Sequence, residues 1–221
     1  MAANDVLTRA QIDAELAALP HWRYRLGGLS AVLTCPTSAA ALELFGAIGA
    51  LAQDANHHPD VDWRYDTLFV TLTSHDAGSK VTARDAALAS AISAAAVQAG
   101  AVAHPELMRA VEIALDTADY AAVAPVWGAA LGFKQGEPDD LRDPSGRLPN
   151  LWFQQTETPN ANRFHFDIHV PASEAAAVLA KLEAAGATLD HANAPAFVIA
   201  TDAQGNRLCI CTEEGRDGDA G

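Results

Sequence analysis

The stretch NHHPDVDWRYDTLFVTLTSHD, residues 56–76, decides how the first half of this chain folds. Val61 to Tyr65 alternates apolar and polar side chains, and Leu68 to Thr73 places Leu68, Val70 and Leu72 on one face. That period of two is the mark of a half-buried strand. Asp66-Thr67 reads as the turn between them, so the two runs form an antiparallel hairpin. A turn at that point sets His58 opposite His75, with β-carbons about 5 Å apart. His57 joins them only through the irregular backbone ahead of the first strand.

Upstream, Ser38 to Gln53 reads as a helix with Leu42, Phe45, Ile48 and Ala52 on one side. Before it, His21 to Leu26 and Leu29 to Thr34 read as strands joined by a Gly27-Gly28 turn. Thr8 opens the first helix as N-cap, with Gln11 at the reciprocal capping position. Ile12, Leu16 and Leu19 make its apolar stripe, and Pro20 stops it. Downstream, Thr82 to Gln98 is a third helix that buries Leu88, Ile92 and Ala96. The order helix, hairpin, helix, hairpin, helix predicts an α+β domain: a four-stranded antiparallel sheet with helices on one face.

The pattern lapses around Ala99-Gly100-Ala101, which places a domain boundary near residue 103, giving units 1–103 and 104–221. The second half reads as a strand from Arg109 to Leu115, a helix from Ala118 to Leu131, and a strand at Leu151 to Gln154. A second round follows: strand Phe164 to Val170, helix Ser173 to Ala185, then strands Phe197 to Ala200 and Arg207 to Cys211. Strand–helix–strands therefore occurs twice, a weak internal repeat. The polar, glycine-rich tail Glu213 to Gly221 reads as disordered.

Composition narrows the function. The 221 residues are 50% hydrophobic and 19% charged, with a formal net charge of -14. Such a chain can bury a core, and its acidity opposes nucleic-acid binding as a main role. No apolar run approaches the ~20 residues that span a bilayer. The N-terminus lacks the basic-then-apolar signal pattern, so a cytoplasmic location and no membrane partner are expected. Cys35, Cys209 and Cys211 are too few and too irregular for a disulfide framework. Cys209 and Cys211 flank Ile210, share one strand face, and read as small apolar residues.

Three readings compete for His57, His58 and His75. Inert loop histidines are the blandest. A metal site is the second, since imidazole is a common ligand. Adjacent His57 and His58 make an awkward ligand pair for one ion, because neighbouring strand residues point to opposite faces. The third is general acid–base catalysis, in which each imidazole handles a different proton of one substrate. Asp54, Asp60 and Asp76 lie within the same segments, and a carboxylate beside a histidine fixes its tautomer.

Asn56-His57-His58-Pro59, Tyr65, Ser74-His75-Asp76-Ala77-Gly78, Arg84-Asp85 and Leu88-Ala89, with Leu19-Pro20-His21-Trp22 ahead of them, resemble the pterin-4a-carbinolamine dehydratases over about residues 5–98. The resemblance implies dehydration of a 4a-hydroxytetrahydropterin to the quinonoid dihydropterin. It implies no required cofactor or metal, a small-molecule pterin as partner, and a homo-oligomer. It assigns catalysis to His57, His58 and His75, with His58 and His75 as the facing acid and base and His57 orienting the pterin. Asn56, Pro59, Asp76 and Trp22 become substrate-binding positions. Two departures stand out: Gly78-Ser79-Lys80-Val81-Thr82 carries an insertion, and Gln53 stands where the family has an acid.

In the second half, Ala114-Leu115-Asp116-Thr117-Ala118-Asp119, Val126-Trp127-Gly128-Ala129-Ala130-Leu131-Gly132-Phe133, Asn162-Arg163-Phe164-His165-Phe166-Asp167 and Asp202-Ala203-Gln204-Gly205-Asn206-Arg207-Leu208-Cys209 resemble the glyoxalase/bleomycin-resistance superfamily. That resemblance implies paired βαβββ modules, often closed around a divalent metal. Glu112 and His165 stand at ligand positions, Cys209 replaces a glutamate, and the fourth position falls near Trp152 to Gln154 without an acid or histidine. The expectation is a pterin dehydratase fused to a glyoxalase-like domain. The alternatives are a non-catalytic pterin or small-molecule binding protein, and a metal-dependent enzyme working through the second half.

Overall fold

The computed structural model describes residues 6–137, 139–158, 163–201, 205 and 207–215. The chain divides into two compact units, Met1–Met108 and Arg109–Gly221.

The first unit runs α1 (Arg9–Ala17), β1 (Arg23–Arg25), β2 (Gly28–Thr34), α2 (Ser38–Ala55), β3 (Asp60–Arg64), β4 (Thr67–Leu72), α3 (Ala83–Gln98) and β5 (Val102–Ala103). Its antiparallel sheet has the order β1-β2-β4-β3, and β5 adds a fifth, unforeseen strand against Leu33 and Thr34 of β2. This strand and the short turn Pro105–Leu107 carry the unit a few residues past the expected boundary. The α+β architecture is otherwise as the pattern implies. Leu68, Val70 and Leu72 face a core shared with Ile48, Leu88 and Ile92. The Thr8/Gln11 capping box forms, with the Thr8 N–H donating to Gln11 Oε1 at 2.8 Å.

Three local expectations shift. The β1–β2 turn is Leu26-Gly27, both at positive φ (43° and 84°), as a two-residue hairpin of the I′ kind requires. Gly28 belongs to the strand, where an added β-carbon would meet Thr73 Cγ2 at 2.9 Å. The β3–β4 turn is Tyr65-Asp66, with Tyr65 at φ 56°, so Asp60 pairs with Thr71 and Arg64 with Thr67. His58 and His75 are therefore not a facing pair: both lie outside the strands, and His75 opens a 3-10 turn, His75–Ala77. On α2 the buried stripe is Ala41, Leu44, Ile48 and Ala52, while Leu42 and Phe45 are exposed. This helix has apolar residues on several sides, so periodicity alone does not choose the face.

The second unit runs β6 (Ala110–Thr117), α4 (Tyr120–Leu131), β7 (Lys134–Gln135), β8 (Asp140–Arg142), β9 (Leu151–Gln155), β10 (Phe164–His169), α5 (Ala172–Ala184), β11 (Thr188–Asp190), β12 (Phe197–Thr201) and β13 (Arg207–Cys211). The eight strands form one sheet ordered β11-β12-β13-β10-β6-β9-β8-β7. The two halves of that order mirror each other about the antiparallel β10–β6 pair, and each first strand lies parallel to the last strand of its module. The repeat is thus two full βαβββ modules. One face of β6 and β9 packs Leu115, Leu151 and Phe153 against Ala124 and Trp127 of α4. The opposite face carries the polar residues described below. The tail beyond Gly215 and residues 202–204 and 206 of the quoted motif lie outside the described residues.

Candidate active site and a second polar cluster

Helix α2 ends because Asn56 adopts the left-handed conformation (φ 47°, ψ 43°), which asparagine tolerates better than most residues. The Asn56 and His57 N–H groups donate back to the Gln53 and Ala52 carbonyls. This reversal turns His57 inward, where it is 7% exposed. Its Nε2 lies 2.7 Å from Asp85 Oδ1, and Asp85 is fully buried. The second oxygen of Asp85 accepts from the Thr82 N–H at 2.7 Å, Ser74 Oγ at 2.8 Å and Thr82 Oγ1 at 3.1 Å. Thr82 and Asp85 also form the capping box that starts α3. Every other partner of Asp85 is a donor, so it receives the His57 bond too. Nε2 then carries the proton, and Nδ1 is left as the acceptor nitrogen.

His57 lines a cavity of about 380 Å³ between α2 and α3. Leu51, Ala55, Ala87, Leu88 and Ala91 supply its apolar wall, and Asp54 and Arg84 its other polar groups. The Arg84 guanidinium donates to Asp76. That hydrogen bond, above all, holds the Asp76 carboxyl below the usual carboxylate range, helped by the charge of Arg84. A larger cavity of about 580 Å³ beside α4 is lined by Tyr120, Phe133, Leu141 and their neighbours, with no histidine, carboxylate or cysteine among the described residues. Chemistry rather than volume points to the smaller one.

The proposed site residues separate accordingly. His57 is buried and partnered; His58 and His75 are exposed, and neither lines the cavity. Asn56 is exposed and sets the helix end, Pro59 is half-buried, and Asp76 is committed to Arg84. Trp22 does not wall this cavity: it is 1% exposed in the core, with Nε1 donating to Ser93 Oγ at 2.9 Å. Asp85, Ser74, Thr82 and Arg84 are the additions. The inserted loop is closed on itself, with Gly78 and Ser79 at positive φ and the Ser74 N–H donating to Lys80 O at 3.0 Å. The insertion is absorbed while Ser74 and Thr82 stay on Asp85.

The second unit places Glu112 opposite Asp167, diagonal to both His165 and His169. Its carboxylate goes to His169 Nε2, 3.0 Å away. His165 lies among Asp116, Asp167 and Cys209. Its Nδ1 is 3.7 Å from Asp116 Oδ1 and its Nε2 3.7 Å from Asp167 Oδ1. The other Asp167 oxygen accepts from Trp152 Nε1 at 3.2 Å. Burial, then the nearby Asp167 carboxylate, pushes the Cys209 thiol far above its usual range. A thiol so shifted is no free nucleophile.

The comparisons agree with this division. The family description "Pterin 4 alpha carbinolamine dehydratase" matches residues 5–95, and "Glyoxalase-like domain" matches residues 112–211. A protein of Chloroflexus aurantiacus provisionally named a pterin-4-alpha-carbinolamine dehydratase is 37% identical over 86 residues, 39% of this chain and 91% of that protein. One of Mycobacterium tuberculosis with the same provisional name is 36% identical over 89 residues, 40% of this chain and 94% of that protein. Among solved structures, a transcriptional coactivator/pterin dehydratase from Brucella melitensis aligns at TM-score 0.40 and 24% identity, over 41% of this chain and 98% of its own. A glyoxalase/bleomycin resistance protein/dioxygenase superfamily member from Vibrio splendidus aligns at TM-score 0.35 and 14% identity, over 48% of this chain and 100% of its own. No described helix is long and apolar enough to cross a membrane. Through its first unit the chain belongs to the pterin-4-alpha-carbinolamine dehydratase family, and its second unit is a glyoxalase-like domain.

Proposed function

We propose that the first unit dehydrates a 4a-hydroxytetrahydropterin, with His57 as the group that takes the ring proton. The buried His57–Asp85 pair in the wall of the cavity carries this reading. In the reaction the C4a–O bond breaks and the hydroxyl leaves as water after gaining a proton. The proton on the adjacent ring nitrogen goes to a base, and the quinonoid dihydropterin remains. Protons and water balance, so no oxidant or reductant enters. Asp85 fixes the tautomer that leaves Nδ1 of His57 free to accept, the part a carboxylate plays behind a catalytic imidazole. The apolar wall suits a flat heterocycle, and Asp54 and Arg84 offer charged groups to its polar edge. His58 and His75, in solvent on either side of the β3–β4 hairpin, are the candidate proton donors to the leaving hydroxyl.

The test is the rate at which purified protein converts a 4a-hydroxytetrahydropterin, followed by the absorbance of the quinonoid product. The expected result is acceleration over buffer, with His57→Ala lowering kcat by about 10²- to 10⁴-fold. A parent protein no faster than buffer ends this reading.

A further inference from the structure

We infer that the second unit holds a zinc-like divalent ion on His165, Asp167 and Cys209, entirely within its later module, with one coordination position left open. His165 and Asp167 stand two apart on β10 and share a face, and Asp167 pairs with Cys209 on the parallel strand β13. Ligand atoms of the three lie within 4.8 Å of one another, and all three residues are buried. A tetrahedral zinc ion with ligands about 2.0 to 2.3 Å away separates them by about 3.3 to 3.7 Å. The 3.7 Å from His165 Nε2 to Asp167 Oδ1 fits such an edge and is too long for a hydrogen bond.

A second observation comes from the other side of the ring. Asp116 has a side chain 5% exposed, and among the described residues its Oδ1 has no hydrogen-bond partner. That atom lies 3.7 Å from His165 Nδ1. A buried carboxylate oxygen without a donor is costly. If Nε2 of His165 ligates an ion, Nδ1 must carry the proton, and a small closure gives Asp116 its donor. This is the carboxylate–histidine arrangement that orients metal-bound imidazoles. Trp152 Nε1 holds the remaining oxygen of Asp167 in the same supporting way.

The donor set also says which ion. One nitrogen, one carboxylate and one sulfur suit a borderline ion such as zinc, whereas magnesium and calcium want oxygen throughout. The set keeps two of the positions that the family resemblance implies, His165 and Cys209, and takes Asp167 rather than Glu112 as its oxygen ligand. Here Glu112 is held by His169. Three protein ligands with an open fourth position is the pattern of catalytic rather than structural zinc.

Cobalt(II) chloride titrated into the metal-free full-length protein tests the site, because cobalt reports a thiolate ligand by a near-ultraviolet charge-transfer band. The expected result is one ion per chain with that band, displaced by zinc chloride. Cys209→Ser removes the band, and Cys211→Ser and Glu112→Gln keep it. Asp116→Asn keeps the band and weakens binding about 10- to 100-fold. Absence of the band in the parent protein overturns the proposal without recourse to any variant. So does a band that survives Cys209→Ser, or one lost with Glu112→Gln while that variant remains folded by circular dichroism.

Discussion

A buried carboxylate is tolerable only when donors meet its oxygens. Asp85 has four: His57 Nε2 on one oxygen, and the Thr82 N–H, the Thr82 hydroxyl and the Ser74 hydroxyl on the other. The same residue thus starts α3 and sets the state of the imidazole. In Asp85→Asn the new amide can donate to Nε2, which moves the ring proton to Nδ1 and removes the base. The expected outcome is a fall in kcat approaching that of His57→Ala with KM little changed, and a stability loss of about 1–3 kcal/mol from the disturbed donors. Stopped-flow kinetics and urea denaturation separate the two effects. A variant that loses stability but keeps kcat leaves Asp85 as a helix cap only. Part of this was legible: Thr82-x-x-Asp85 is a capping-box pattern, and the histidine pair stands out in the sequence. The pairing of Asp85 with His57, 28 residues apart, was not, because it depends on how α3 packs against the end of α2. On β10, His165, Asp167 and His169 alternate on one face, which a period-two reading exposes. Their meeting with Cys209 needs the parallel β10–β13 pairing.

At the scale of elements, the turn out of α2 delivers His57 to its partner. Asn56 supplies that turn through its backbone, at φ 47°. A residue with a β-carbon and no local hydrogen bonding pays about 1–2 kcal/mol for the left-handed conformation, and glycine does not. Asn56→Gly should therefore hold the parent's unfolding free energy, read from urea denaturation, within about 0.5 kcal/mol, and Asn56→Ala should lose about 1 kcal/mol. If Asn56 also contacts the pterin through its amide, as the resemblance implies, Asn56→Gly raises KM while stability holds. An unchanged KM confines the residue to its backbone task. The element errors share a cause. Both hairpin turns lie one residue earlier than turn composition suggests, because strand pairing decides which residues take positive φ. The Gly27-Gly28 pair misled since Gly28 is needed for the close approach of Thr71 and Thr73 rather than for the turn. On α2, Leu42 and Phe45 were as plausible a core face as Ala41 and Leu44 by composition. Strands β7, β8 and β11 are only two or three residues long and exist through their neighbours, so no local pattern announces them.

At the scale of the whole molecule, each unit has a core of its own. One joins Trp22, Leu33, Ile48, Leu68 and Ile92; the other joins Leu115, Leu141, Leu151 and Phe153. The alternating patterns made this division legible, since a β-hairpin and helix rhythm gives way to a repeated strand–helix–strands rhythm after residue 103. Phe153 is 1% exposed and stacks on Tyr120 with ring centroids 6.3 Å apart. Truncating a buried phenylalanine to alanine costs about 3–5 kcal/mol, since the lost contacts leave a cavity that closes only in part. If each core sustains its own unit, Phe153→Ala takes that amount from the second unit alone. Hydrogen exchange read peptide by peptide checks this. Protection should fall in peptides covering 110–117 and 151–155 and stay at the parent's level in those covering 28–34 and 67–72. Equal loss in both sets would mean that the two cores unfold as one cooperative body, and that a change in the glyoxalase-like unit reaches the His57–Asp85 pair through stability rather than through chemistry.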